Sequence, residues 1–306
     1  MAFVLKKKES VRKGIRRLGR RQVREALTAL ERCNRPDAVH EVRKRIKELR
    51  SLLRLVQPCL ARSEYRRCSE PLRAAAGKLA AARDAWVTLN ALDALQQHFQ
   101  SEFAPGSFRK VRKILAKRCR ENQAGVSRHG VEREVRRLLK SASAKFASLE
   151  IKDSGWSALK RGLETTYRAG RLGYGAVSWN GRGFHEWRKR VKDLYCHVGL
   201  LGPIWRGEMT ALREELKELS DRLGDDHDLV LFTEPEMSRR FRETAPAELE
   251  TLRALVQERR EKLQAQALEI GARFYQETPP QFCKRLGRYW KHWRRKSRRG
   301  LNTSSL

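Results

Sequence analysis

The sequence predicts an all-α protein, on three observations. Apolar residues recur at three- and four-residue spacing along almost the whole chain, Ala, Leu, Arg, Lys and Glu dominate the composition, and strand-like alternation of β-branched residues is nowhere sustained. Breakers then place the elements. A helix near 9–33 stops at Asn34-Arg35-Pro36, and one near 37–56 stops at Gln57-Pro58. A segment near 62–97 runs toward Pro105-Gly106, and one near 107–147 is broken around Gly125–Gly130. Asp153-Ser154-Gly155 precedes a helix near 157–177, and Gly181 to Gly183 precede one near 184–201 that Gly202-Pro203 ends. Segments near 206–239 and 246–275 follow, with Glu234-Pro235 and Pro246 as punctuation. Beyond Pro279-Pro280 comes a basic helical tail near 281–299.

The charge is unusual. There are 68 Lys and Arg against 36 Asp and Glu, a net +32, while a hydrophobic fraction of 40% still allows a core. A surplus this far beyond the ~2–8 charges that keep a small domain soluble repels itself in the compact state, so it implies an anionic partner. Nucleic acid, an anionic membrane and a soluble polyanion are the classes to separate. No stretch approaches the roughly 20 apolar residues of a membrane span. Met1 to Lys8 carries its lysines after its apolar residues, the reverse of a secretory signal, so the cytoplasm is the expected location. Cys33, Cys59, Cys68, Cys119, Cys196 and Cys283 fall at no C-x-x-C spacing and read as reduced structural thiols. Neither a metal nor a cofactor is expected.

The most informative feature is an internal repeat. Residues 39–58 read VHEVRKRIKELRSLLRLVQP, and residues 184–203 read FHEWRKRVKDLYCHVGLLGP, with nine identities in twenty positions and no gap. Downstream, Leu72, Leu79 and Asp84 correspond to Leu216, Leu223 and Asp228 in nearly the same register. This predicts a duplicated unit of about 145 residues, each a four-helix bundle, with halves at 1–150 and 151–280 and a basic aromatic tail at 281–306.

On a helical wheel, Arg43, Lys44, Lys47 and Arg54 fall within about 60° of His40, and Arg50 lies just beyond. Val42, Ile46, Leu49, Leu53 and Val56 take the opposite arc. In the second copy the stripe is His185, Arg188, Lys189 and Lys192, with Tyr195 where Arg50 stood. A mixed Glu/Lys stripe would be an ordinary solvated face. A one-sign stripe, repeated around the same histidine, destabilises its own helix by a few tenths of a kcal/mol per like-charge pair, which a polyanion lying along it would relieve.

Metal chemistry fits poorly. His40-Glu41 lacks the second histidine of H-E-x-x-H, where Lys44 and Lys189 stand instead. Asp225-Asp226-His227-Asp228 has only Ala81-Ala82-Arg83-Asp84 as its counterpart, so packing or capping at a helix junction is expected there. His98, His129, His197 and His292 have no matched partners and read as surface or core residues.

The paired H-x-x-R-x-x-x-K helices, each followed by L-x-x-x-(R/H)-D, resemble the CHAD family, the conserved histidine α-helical domain. The resemblance runs from about Gly14 to about Tyr275 and includes Gly162-Leu163, Tyr167-Arg168 and Arg171. It implies two four-helix bundles related by a pseudo-twofold around a basic central groove. It also implies non-catalytic binding of inorganic polyphosphate and association with polyphosphate granules. The ligand-facing residues it implies are His40, Arg43, Lys47, Arg50, His185, Arg188, Lys189 and Lys192. The chain departs from the family pattern at Tyr195, Glu48, Asp193 and His227.

Two other classes stand beside this one. Family members often accompany triphosphate tunnel enzymes, but Glu132-Arg133-Glu134-Val135-Arg136 lies in a helical stretch and lacks the lysine of E-x-E-x-K. No Walker loop or G-x-G-x-x-G is present, and no enzymatic activity is expected. A single-stranded nucleic-acid binder is the alternative. It draws on the tail, where Phe282, Tyr289, Trp290 and Trp293 interleave with Lys284, Arg285, Arg288, Lys291, Arg294 and Arg295.

Overall fold

A computed structural model describes residues 3–102, 106–128, 130–180, 182–233 and 235–295; His129 lies outside them. The described residues form twelve α-helices. They are α1 (Val11–Leu30), α2 (Pro36–Val56), α3 (Arg62–Lys78), α4 (Ala80–His98), α5 (Arg109–Arg128) and α6 (Val131–Ala147). There follow α7 (Ser157–Asn180), α8 (Phe184–Leu201), α9 (Arg206–Val230), α10 (Pro235–Thr244), α11 (Pro246–Phe274) and α12 (Pro279–Arg295). No strand occurs among the described residues.

The starts follow from local chemistry. Ser10 caps α1 by accepting from the Lys13 amide at 3.2 Å. Pro36, Pro246 and Pro279 stand in the first turns of α2, α11 and α12, where a missing N–H costs nothing. Two breaks lie inside segments that the sequence runs together. The chain turns at Leu79, between α3 and α4, just after Gly77. It turns again through a short 3-10 helix, Leu231–Thr233, between α9 and α10.

In the first half α1 packs on α2 and α6, and α3 packs on α2 and α6. In the second half α7 packs on α8 and α11, and α9 packs on α8 and α11. The halves meet where α2 lies against α7 and α8, and where α4 lies against α9. One large core takes side chains from both sides of residue 150, among them Ile15, Leu49, Leu163 and Trp187. A smaller second core also crosses that point, joining Leu92, Phe99 and Val111 to Phe232, Phe241 and Leu263.

Two contacts draw α2 close to the second half. Gly162 in α7 faces the α2 backbone so tightly that a Cβ there would lie 1.7 Å from the Leu55 carbonyl oxygen. Only glycine permits that approach. The buried His197 of α8 has its Nε2 2.9 Å from the Ser51 carbonyl of α2, and the Ser51 hydroxyl donates to the Asp193 carbonyl at 3.3 Å.

The tail is mostly a packed helix. α12 lies on α7 and buries Phe282, Cys283, Leu286 and Trp290. Arg294 stacks on Trp290 and Trp293 and donates to the carbonyls of Lys7 and Glu9, so it fastens the N-terminal segment. Residues 296–306 lie outside the described residues.

Candidate functional site

The repeated helices α2 and α8 pack side by side, and the middle of their polar arcs, at Lys47 and Lys192, is half-buried there. Lys47 and Lys192 are the centre of the meeting. Burial, then the charges of Lys192, Arg83, Arg188 and Arg43, push the Lys47 ammonium down to about 7. Burial, then Arg188, with Arg83 further down and Asp228 opposing, pushes Lys192 down to about 8. Desolvation and like charge act in the same direction on both. The Lys192 ammonium lies over Gly224 of α9, where a Cβ would come within 3.8 Å of it.

Arginines frame the lysines. Arg188 is 7% exposed, and burial lowers its pKa against the opposing pull of Asp228. Arg43 donates to the Ala76 carbonyl of α3, which fixes its guanidinium beside the cluster. Arg83 of α4 is also 7% exposed and donates to Asp84 at 3.0 Å and to Asp228 of α9 at 3.1 Å. The Nε–H groups of Arg43, Arg83 and Arg188, and Nδ1 of His40, are buried without a hydrogen-bond partner among the described residues. Five cations thus converge on a region in which two carboxylates, Asp84 and Asp228, are already held by one of them, while Asp221, Asp225 and Asp226 stand further out.

The two repeated histidines stand apart in their contacts. His40 packs against Trp86, ring centroids 4.8 Å apart, and burial followed by Lys47 and Arg83 lowers its pKa. His185 is exposed, and its Nδ1 is 3.1 Å from Nδ1 of His227. Burial, then Arg188, His185, Arg83 and Lys192, drives His227 down to about 3, so it is neutral at physiological pH and can face those cations without adding a charge.

The other stripe residues lie elsewhere. Lys44 and Lys189 are exposed and pair with Glu41 and Glu186 on their own helices, at 3.6 and 2.5 Å. Arg50 is half-buried, and burial followed by the charges of Arg54 and Arg73 lowers its pKa. Arg54 is bound to the buried carboxylate of Asp193, so it holds α2 to α8. The wheel places Arg54 on the cationic arc, but it cannot see Asp193, which comes from the other copy.

Sequence reasoning left Arg83 and His227 outside the site, although both stand at the same place in L-x-x-x-(R/H)-D. That equivalence was the available signal. Packing accounts for only part of the Asp225–Asp228 run: Asp226 accepts from Arg260 and Gln264 at 2.9 and 2.8 Å, while His227 and Asp228 face the cationic cluster.

The chain is thus all-helical, with cations from two matched helices gathered at one place. The family model of the CHAD domain matches residues 14–235, and the chain belongs to that family. Among solved structures it is similar to the crystal structure of the CHAD domain from the plant Ricinus communis, at 16% identity, 95% coverage of both chains and a TM-score of 0.54. A search of curated proteins found no match.

Proposed function

We propose that this chain binds inorganic polyphosphate without catalysis, through the cluster of Arg43, Lys47, Arg83, Arg188 and Lys192. One observation carries the reading: two lysines from matched positions of the repeat are half-buried beside Arg83 and Arg188, whose charges act on both, and the charge of Lys192 acts on Lys47 as well. An anion threading between α2 and α8 would restore both charges and supply acceptors to the orphaned guanidinium donors. CHAD domains are associated with polyphosphate binding, which agrees with this site. Identical phosphate units need no base-reading groups, and any register of a long chain would serve.

The matched order of neighbours in the two halves supports the duplicated four-helix unit, with the groove at its pseudo-twofold. His40, His185, Arg50, Lys44 and Lys189 would meet the chain as it leaves the centre. Asp84, Asp226 and Asp228 beside the cluster are engaged by arginine, which favours binding over metal-assisted phosphoryl transfer. Among the described residues no helix is long and apolar enough to cross a membrane. A cytoplasmic protein gathered onto polyphosphate granules would follow from this chemistry.

The test is a competition among long polyphosphate, triphosphate and single-stranded DNA at one fixed salt concentration. Long polyphosphate is expected to win, with a steep log–log salt dependence from its many phosphate contacts. Equal affinity for triphosphate would rule out an extended groove.

A further inference from the structure

A second cationic surface lies on α12. Lys284, Arg288, Lys291 and Arg295 are exposed and fall within an arc of about 60° on that helix. No Asp or Glu occurs in α12, and none of the four makes an ion pair among the described residues. The sequence pattern of this tail mixes two roles that the structure separates. Phe282 and Trp290 are core, Arg285 pairs with Glu277 at 2.6 Å, and Arg294 is spent on backbone carbonyls.

Aromatic rings border the remaining cations on one side. Trp205, at the start of α9, is 45% exposed, one of two large apolar side chains so exposed among the described residues. Its ring stands 5.7 Å from that of His292, which lies about 40° beyond the edge of the cationic arc, and 4.9 Å from that of Tyr289, further round the helix. Arg294 also brings the exposed Lys6 and Lys8 toward the same end of the helix.

A chain of phosphates alone gains nothing from an exposed indole, whereas a nucleobase stacks on it while its backbone meets the cations. From the exposed Trp205 ring beside Tyr289 and His292 and the one-sign stripe, we infer that the α12 face with Trp205 binds single-stranded nucleic acid, separately from the cluster between α2 and α8.

The test titrates fluorescein-labelled oligo(dT) against the full chain carrying Lys47→Gln and Lys192→Gln, so that the central cluster cannot supply the binding. In that background Trp205→Ala is expected to weaken oligo(dT) roughly tenfold. Trp205→Phe should recover most of the loss, and Arg288→Glu with Lys291→Glu should weaken binding at least as much. Should Trp205→Ala fail to fold, the Arg288→Glu, Lys291→Glu variant carries the same test from two exposed residues. In the otherwise native chain Trp205→Ala should leave polyphosphate affinity unchanged. Oligo(dT) affinity indifferent to both patch variants overturns the inference, and so does loss of all oligo(dT) binding in the Lys47→Gln, Lys192→Gln background. Trp205-dependent binding to phosphatidylserine vesicles with no oligo(dT) binding would reassign the surface to a lipid and overturn it equally.

Discussion

Arg83 in α4 donates to Asp228 in α9 at 3.1 Å, linking residues that the repeat places in opposite halves. The same guanidinium holds Asp84, the repeat equivalent of Asp228, at 3.0 Å. One arginine therefore satisfies both carboxylates of the motif. Its counterpart, His227, is left uncharged beside Arg188 and Lys192. Around them Arg43, Lys47, Arg188 and Lys192 all have pKa values lowered, first by burial and then by neighbouring cations.

Replacing Lys47 or Lys192 by Gln should weaken long-chain polyphosphate at least tenfold while raising the unliganded melting temperature. Each change removes a charge whose burial and like-charge neighbours oppose folding, worth on the order of 1–2 kcal/mol after screening. The measurement is a labelled polyphosphate titration beside a thermal melt. Full binding by both variants would sink the proposed site.

The same lysines give a signed pH dependence. Their folded pKa values, about 7 and about 8, lie below the ordinary 10.5, so between these limits the unfolded chain carries more protons. The destabilisation from this pair is therefore relieved as pH rises from about 7 toward 10, and net stability increases over that window. Binding runs the other way. Polyphosphate restores both charges, so near pH 8.5 the complex takes up protons and affinity falls as pH rises. Calorimetry in buffers of differing ionisation enthalpy should report net proton uptake, and release of protons would contradict the assignment.

Arg54 should behave as a structural residue although it lies on the cationic arc. Arg54→Ala leaves Asp193 buried without its partner and should cost about 2–3 kcal/mol. Polyphosphate affinity of the folded fraction should change less than twofold, and Asp193→Asn should recover part of the stability. A variant of native stability with lost binding would return Arg54 to the ligand face.

Gly162→Ala should be severely destabilising, by about 3 kcal/mol or more, because its methyl group would collide with the backbone at Leu55 and push α7 off α2. Chemical denaturation of the variant is the check. Gly175, on the same helix with open space around it, is the control, and Gly175→Ala should be neutral or slightly stabilising.

Helix positions were legible because each depends on neighbours a few residues away. Apolar spacing, Pro36, Pro246 and the glycines around 181–183 place α2, α8 and α11 within a few residues. The break at Leu79 was not legible, since no proline or glycine pair marks it and the turn serves the distant packing of α4 on α9. In the same way, the repeat named His40, Arg43, Lys47, His185, Arg188 and Lys192 from sequence alone. Which of the cations converge was decided only when α2 met α8 and α4. That meeting encloses Lys47 with Lys192, brings Arg83 to Asp228, ties Arg54 to Asp193, and leaves Lys44 and Lys189 in solvent. A wheel reports the direction of a side chain from its own axis. The charge it feels depends on what the rest of the chain places opposite, and residues 145 positions apart share no local pattern that records it.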